Sequence, residues 1–383
     1  MYPFVLAGKI VAAIKPLKQE YDFFLFLPTY GIGGAERANG AIVEAIRDQK
    51  VLIFFTRKSP NDKLLHLFKR PHTHCIDISK YTDNKWIYFA NLYFRGVCAG
   101  YINAQKRKPG VFNGQCNFAY KLFPHLHNDI NKVELIHTSE RRFSWVTFPY
   151  VPFINARIMV ADDIIQQHIS YYEELGIPRR YQERIKKIFY TIHVPDQLPQ
   201  REYHKPLKVY YAGRGGYQKR LEVLFEIVRR VQKEGLEIEF HFAGSFEDEV
   251  PSELKKNITW HGQISSTEEM YRLHSSMDVY LLTSRFEGFP LAIMEAMSCG
   301  VSIVATAVNG IPEHIVDDQN GLLIQSTDDS EIIEEGVDHL RKLMGNPDLR
   351  IHIAKTNHQY ALKNFSKEIF ERAYREVFKL KAE

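Results

Sequence analysis

The 383 residues predict an α/β protein of two doubly wound domains, each a parallel sheet wrapped by helices. Three observations carry this expectation. Apolar strand-like runs alternate with helical patterns twice along the chain, a Pro-rich linker separates the two series, and each series opens with a strand and a Gly-rich turn. The first series begins with Asp22–Leu27 (DFFLFL), then GIGGAER (Gly31–Arg37) and a helical pattern through Glu44–Ile46. Val51–Thr56, Val133–His137, Ala156–Val160 and Ile188–Ile192 read as its further strands. Val194–Pro206 (VPDQLPQREYHKP) has linker composition. The second series runs through strand Leu207–Ala212, helix Gln218–Val231, strand Glu237–Ala243 and short strand Thr259–Trp260. Helix Thr267–Ser275 and strands Asp278–Thr283 and Val301–Thr306 continue it. The expected division is a first domain at 1–197, a second at 198–362 and a C-terminal helix at 363–383. Phe365, Ile369, Phe370, Ala373, Val377 and Leu380 give that helix an apolar face that returns it to the first domain.

Bulk composition narrows the class. A hydrophobic content of 45% and a charged content of 25% belong to an ordinary globular protein. Cys75, Cys98, Cys116 and Cys299 form no C-x-x-C pair, which argues against a structural zinc site or disulfide framework and fits a reducing cytoplasm. No apolar run reaches the roughly 20 residues that span a bilayer. Lys9 interrupts the apolar N-terminal stretch and no basic segment precedes it, so a cleaved signal is not expected. Residues 1–20 read as an amphipathic helix bearing Lys9, Lys15 and Lys18, docked on its own domain, with surface adhesion as the alternative.

The net charge of +4 hides an asymmetry. Residues 1–205 hold 29 Lys+Arg against 18 Asp+Glu, while the remainder holds 21 against 28. A basic half points to an anionic partner. The clusters Lys106–Lys108, Arg141–Arg142, Arg179–Arg180 and Lys186–Lys187 form no single stripe, so an anionic membrane surface or acceptor is favoured over nucleic acid.

Two stretches carry the chemistry. In SRFEGFPLAIMEAMSCG (Ser284–Gly300), Glu287 falls in a loop at the carboxyl end of a buried strand, where α/β folds place ligands. Pro290 suits the first helical position, Glu295 lies inside the helix, and Gly300 stops it. In YAGRGGYQKRLEVLFEIV (Tyr211–Val228), a strand, a Gly-rich turn and a helix aim backbone N–H groups above the strand end. Lys219 at the helix start and Arg214 in the turn gather two cations where the macrodipole disfavours them, which a bound phosphate would offset. GIGGAER is a weak fingerprint, because its third glycine position and a ribose-reading acid are missing. His137 closes a strand and reads by itself as a structural histidine. No D-x-D occurs in the chain, so fixed cations would have to stabilise a departing phosphate in place of a held metal. No G-x-S-x-G, H-E-x-x-H or Walker A pattern occurs either.

These residues resemble the family 4 glycosyltransferases, retaining enzymes of the GT-B fold, over the whole second domain and through short motifs in the first. The resemblance rests on E-x7-E (Glu287–Glu295) with Ala296 and Gly300 behind it, on G-R-x4-K (Gly213, Arg214, Lys219), and on ATAVNGIPEHIVDDQNGLLI (Ala305–Ile324). It implies two Rossmann-like domains facing each other across a cleft and transfer of a sugar, with retention and without metal, from a UDP- or GDP-sugar. The implied acceptor is a glycan or lipid-linked saccharide in bacterial cell-surface polysaccharide synthesis, and the implied location is cytoplasmic, peripheral at the inner membrane face. By the same resemblance Glu287 contacts donor-sugar hydroxyls and Glu295 the ribose. Amides around Phe289, Pro290 and Leu291 lie near the diphosphate, Arg214 and Lys219 compensate its charge, His137 faces the sugar, and Gly33 and Gly34 admit the phosphates. The family's usual mechanism is front-face attack, with no covalent nucleophile. Two positions depart from the pattern: Ile192–Asp196 (IHVPD) keeps only the aspartate of Asn-Gly-[Ile/Val]-Asp, and Asn309–Gly310 replaces Gly-Gly.

The competing readings are a same-fold epimerase or phosphorylase, a nicotinamide dehydrogenase using GIGGAER, and a catalytically silent binding protein. A phosphorylase lacks an evident pyridoxal-lysine context. A dehydrogenase lacks its acid near Val51–Arg57, and a silent protein need not keep Glu287, Arg214 and Lys219 together.

Overall fold

The computed structural model describes residues 2–137, 146–202 and 206–380. Arg141–Arg142, the residues directly after His137 and 203–205 of the linker lie outside the described residues. The chain divides into two compact units, Met1–Phe189 with Glu368–Glu383, and Tyr190–Lys367. The expected boundary at 197/198 falls inside the second.

The first unit is built on a seven-stranded, all-parallel sheet. Its strands are β1 (Phe23–Leu27), β2 (Val51–Phe55), β3 (Thr73–Asp77), β4 (Gly110–Asn113), β5 (Asn131–Ile136), β6 (Ala156–Met159) and β7 (Ile185–Lys187), in the order β3-β2-β1-β4-β5-β6-β7. Every residue of β1 (FFLFL) and β2 (VLIFF) is buried, as strands covered by helices on both faces require. Phe26 stacks on Phe54 at 5.2 Å within this core.

The second sheet is also wholly parallel: β8 (Leu207–Gly213), β9 (Ile238–Gly244), β10 (Ile258–Trp260), β11 (Val279–Leu282), β12 (Ser302–Thr306) and β13 (Gly321–Ile324). Its order is β10-β9-β8-β11-β12-β13. Strand order therefore reverses between β1 and β4 in one unit and between β8 and β11 in the other. Those two points are where doubly wound sheets open a crevice for ligands.

Several elements differ from expectation. Ile188–Ile192 is not a strand. The sheet's last strand is β7, three residues earlier, and Ile188 ends its pairing by donating to Met159 O at 3.1 Å. Beyond it, Thr191 and Ile192 bond to Phe365 O instead. β7 is an edge strand, so a polar Ile-Lys-Lys run serves there. β3 exposes most of its residues and β4 has only four, so neither shows an apolar run long enough to read.

The expected helix at 218 starts later, at Leu221–Lys233, after a tight turn at Tyr217–Lys219. Arg220 between them is left-handed, with φ 52°. The C-terminal helix is shorter than read, Lys367–Val377, and a separate Pro347–Asn364 helix precedes it. It docks on the first unit: Phe378 packs on Phe23 at 5.0 Å, and Arg375 donates to Asp48 at 2.8 Å, which holds that carboxyl below its usual range. At the other terminus the Tyr2–Ile14 helix lies against the Tyr88–Asn103 helix. A Cβ on Gly8 would come within 2.1 Å of Tyr93 O, and one on Gly96 within 2.0 Å of Val5 O, so the two backbones touch through glycine.

The helix after the glutamate motif spans Leu291–Ser298, and Pro290 sits just outside it as the N-cap. Gly300 N–H donates to Met297 O at 2.9 Å and Val301 N–H to Ala296 O at 3.0 Å, a Schellman stop. Gly300 has φ +71°, and an added Cβ would meet Leu198 Cδ1 at 2.4 Å. Gly300→Ala should therefore lower the stability of the second unit by about 1–3 kcal/mol in urea unfolding.

The first unit carries a pH-sensitive buried group. His168 is buried, and desolvation, with Arg157 beside it, pushes its pKa down to about 4. The unfolded chain binds a proton here near pH 6.5 that the folded chain refuses, so its stabilising share is full above that pH and lost as pH falls toward 4. At pH 5 the loss is about 2 kcal/mol. Thermal unfolding followed from pH 7 to pH 5 should show a drop in midpoint that His168→Gln reduces.

Candidate functional site

The loops after β8 and β11 meet at the second unit's switch point. Thr283 closes β11, and its Oγ1 donates to Lys219 O at 3.3 Å and Arg220 O at 3.1 Å. Arg285 N–H donates to Gln218 O at 2.8 Å, and Gln218 Nε2 donates to Phe286 O at 3.0 Å. These bonds hold the Tyr217–Lys219 turn against the Ser284–Glu287 loop. The left-handed Arg220 turns the chain away into its helix and is anchored on Asp329 at 2.5 Å.

Within this frame Lys219 Nζ pairs with Glu287 Oε1 at 2.5 Å, with side chains only 16% and 7% exposed. Ser284 Oγ donates to the same carboxylate oxygen at 2.7 Å, and Gln218 Nε2 lies 3.4 Å from the other. Glu287 N–H donates to Asn309 Oδ1 at 3.1 Å. Asn309 has φ +48°, a conformation asparagine tolerates better than most residues. The Asn-Gly departure noted in the sequence is thus a support for Glu287.

Gly213 ends β8 where a Cβ would meet Tyr211 Oη at 2.6 Å, and that hydroxyl donates to Arg214 O at 2.6 Å. Glu249 closes the turn by accepting Gly216 N–H at 3.2 Å. The Arg214 guanidinium is exposed and makes no hydrogen bond or ion pair among the described residues. The expected pair of cations is therefore divided, with Lys219 neutralised by Glu287 and Arg214 open.

Glu295 has a different setting. Its carboxylate is largely buried, with Oε2 3.6 Å from His274 Nε2. His274 is fully buried, and its Nδ1 bonds the Tyr210 hydroxyl. Burial keeps that phenol protonated. Sequence reasoning missed Tyr210 and His274, since neither stands in a motif. Phe289 turns its ring inward onto His314, centroids 3.9 Å apart. The Leu291–Ser298 helix has no side-chain cap, which leaves first-turn amides for an anion.

In the first unit, His137 follows β5 and its N–H donates to Gln115 Oε1 at 3.4 Å, tying it to the loop after β4. Surrounding protein pushes the ring's pKa down to about 4, so it is neutral at pH 7. Gly33 and Gly34 lie after β1. A Cβ on Gly33 would strike the Glu36 carboxylate at 2.2 Å, and that carboxylate also accepts from Thr29 Oγ1 at 2.5 Å. The glycine makes room for an acid at the helix start. At the end of β2 stand Thr56 and Arg57, with no acid for a dinucleotide ribose. Among the described residues no group of three or more His, Cys, Asp and Glu side chains is placed to hold a metal.

Residues 196–359 match the family model of glycosyl transferases group 1. Curated relatives align over the same kind of span. Sulfoquinovosyl transferase SQD2 of Arabidopsis thaliana is 30% identical over 167 residues, 42% of this chain and 30% of the relative. N,N'-diacetylbacillosaminyl-diphospho-undecaprenol alpha-1,3-N-acetylgalactosaminyltransferase of Campylobacter jejuni is 26% identical over 115 residues, 30% of this chain and 29% of the relative. The chain spans less than half the length of such curated relatives.

Solved structures align far more widely. Anabaena HepE, in complex with UDP and glucose, superposes with a TM-score of 0.73 at 16% identity, covering 94% of this chain and all of that one. The pneumococcal O-GlcNAc transferase GtfA, in complex with UDP and GlcNAc, gives 0.74 at 14%, covering 94% and 99%. The fold is GT-B, and with the family match it supports a group 1 glycosyltransferase. These matches are to glycosyltransferases, not to an epimerase.

The Lys219–Glu287 pair can be tested without any ligand. Lys219→Met should cost about 1–3 kcal/mol in urea unfolding, because a nearly buried carboxylate loses its counter-charge. Lys219→Met with Glu287→Gln should recover most of that loss in a double-mutant cycle.

Proposed function

We propose that the protein is a glycosyltransferase that moves a sugar, with retention, from a nucleotide diphosphate sugar to a glycan or lipid-linked saccharide. The observation that carries this reading is the knitted pair of loops at the β8/β11 switch point, which gathers Lys219, Glu287 and the open Arg214 beside an uncapped helix N-terminus. In this reading Arg214, Lys219 and the amides around Phe289–Leu291 take the diphosphate. Fixed cations and N–H dipoles stabilise phosphate as it leaves, so no metal is required. Glu287 accepts hydrogen bonds from the donor sugar, and Glu295, with His274 beside it, accepts from the ribose. The neutral His137 serves as a hydrogen-bonding group toward the sugar, and the Gly33–Gly34 turn takes the phosphate side of the first unit.

The group 1 match and the UDP complexes of the structural neighbours support a UDP- or GDP-sugar donor. The undecaprenol-linked substrate in the Campylobacter relative's name supports a lipid-linked acceptor and a role in bacterial surface polysaccharide synthesis. We place the enzyme in the cytoplasm, peripheral at the inner membrane face. No helix among the described residues is long and apolar enough to cross a membrane.

Calorimetry with UDP, GDP, ADP and their sugars, with and without EDTA, tests the donor site. One base should bind, insensitive to EDTA, and Glu295→Ala should weaken it about 10- to 100-fold. Glu287→Gln should leave nucleotide affinity within about threefold, because it releases Lys219 to the phosphates, while transfer falls at least about 100-fold. If no nucleotide binds, or only nicotinamide dinucleotides do, the reading fails.

A further inference from the structure

The Tyr2–Ile14 helix is an unusual surface element. It carries one charge, Lys9, in thirteen residues, and only Val5, Gly8 and Ala12 are buried. Leu6, Ile10 and Ile14 are 46%, 51% and 70% exposed. Together with Tyr2 they recur every four residues, an apolar stripe about 18 Å long on the outward side of the helix.

A second apolar element adjoins it. Trp86 is 84% exposed and Phe89 62%, and the Phe4 and Phe89 rings meet at 4.8 Å, which joins the helix to the Trp86–Phe89 corner. Nine of the sixteen large exposed hydrophobics among the described residues fall in these two segments. Scattered exposed side chains are ordinary, but a continuous patch signals a partner.

Charge identifies the partner. Residues 1–19 and 79–121 contain ten Lys+Arg and a single acid, Asp83. Lys58, Lys80 and Lys121 line a groove of about 960 Å³ together with Trp86, Asp83 and the buried Arg95. A face combining apolar side chains, interfacial aromatics and a basic surround suits an anionic bilayer. A two-fold contact between copies of the chain would set these cations against each other.

We propose that the Tyr2–Ile14 helix and the Trp86–Phe89 corner dock the protein on an anionic lipid bilayer. The helix lies in the interfacial plane with Leu6, Ile10 and Ile14 in the acyl boundary. Trp86 sits at headgroup depth, and the groove cations meet lipid phosphate. The docking deepens the proposed function and rests on it for the identity of the acceptor, whereas lipid binding itself requires no donor.

Flotation with vesicles of phosphatidylcholine alone, or with a quarter phosphatidylglycerol, tests the proposal. Wild type should bind the anionic vesicles at least about tenfold more strongly, with loss at high salt. Leu6→Glu with Ile10→Glu, two outward positions, should weaken binding by about tenfold or more while nucleotide affinity stays unchanged. Brominated lipid should quench wild-type fluorescence, and Trp86→Phe should remove that component, a readout independent of how the helix variant folds. Failure of wild type to float at low salt overturns the docking, as does equal flotation of the double variant. A dimer in sedimentation equilibrium that the double variant abolishes, with no vesicle binding, also overturns it and assigns the face to a second copy. Either failure leaves the calorimetry of the donor site intact, so the two readings fall separately.

Discussion

A parallel sheet delivers the carboxyl ends of all its strands to the same edge, and the polar contacts of the β8 and β11 loops in this protein's second unit follow from that. With six strands parallel and the order reversing between β8 and β11, the loops after those two strands meet at the gap that the switch point opens. The sheet gives no ladder partner to the groups lining that gap, so side chains and the loop-to-loop bond from Arg285 N–H to Gln218 O satisfy them. Thr283, Gln218 and Ser284 do so, each bonding across from one loop to the other or back onto Glu287. The glycines are constrained in the same way: Gly213 lies under the Tyr211 hydroxyl, and Gly300 must be left-handed to return the chain to β12.

That gap was legible in the sequence because its parts are local. A buried strand, a Gly-Phe-Pro turn, a helix and a stopping glycine are consecutive residues, and their periodicities are unambiguous. What escaped was set by tertiary contact. The His274–Tyr210 contact behind Glu295 joins residues 64 apart, and neither residue has a neighbour in sequence that hints at it. Asn309 appeared only as a departure from a Gly-Gly pair, and its bond to Glu287 N–H becomes visible only when β12 and the loop after β11 are adjacent. The missed strands have the same cause. β3 is an exposed edge and β7 is built of Ile-Lys-Lys, so pairing with the neighbouring strand, not intrinsic pattern, makes them strands.

The first unit was legible in class and less so in its site. FFLFL and VLIFF announce a buried parallel sheet, but the Gly-rich turn after β1 holds Glu36 against Gly33, which no spacing rule anticipates. His137 likewise takes its place from Gln115, a left-handed residue in the loop after β4. Sequence spacing relates a residue to its own strand, whereas each of these contacts relates it to the turn or strand beside it.

The Lys219–Glu287 pair poses a physical problem for the proposed donor site, since a cation already bound to a carboxylate has little charge left for phosphate. Two features resolve it. Arg214 is held at the same strand end without an ion-pair partner among the described residues, so an arriving diphosphate meets one open cation and the uncapped amides before it competes for Lys219. Glu287, for its part, does not depend on Lys219 for its position: Ser284 and Gln218 hold the carboxylate, and Asn309 holds the backbone N–H. A diphosphate carries more charge than one carboxylate and would win Lys219 by Coulomb attraction. The carboxylate released from the pair would remain fixed by neutral donors, as an acceptor for sugar hydroxyls. The ion pair would then act as a latch that phosphate opens, converting the arrival of the nucleotide into an unpaired, positioned Glu287.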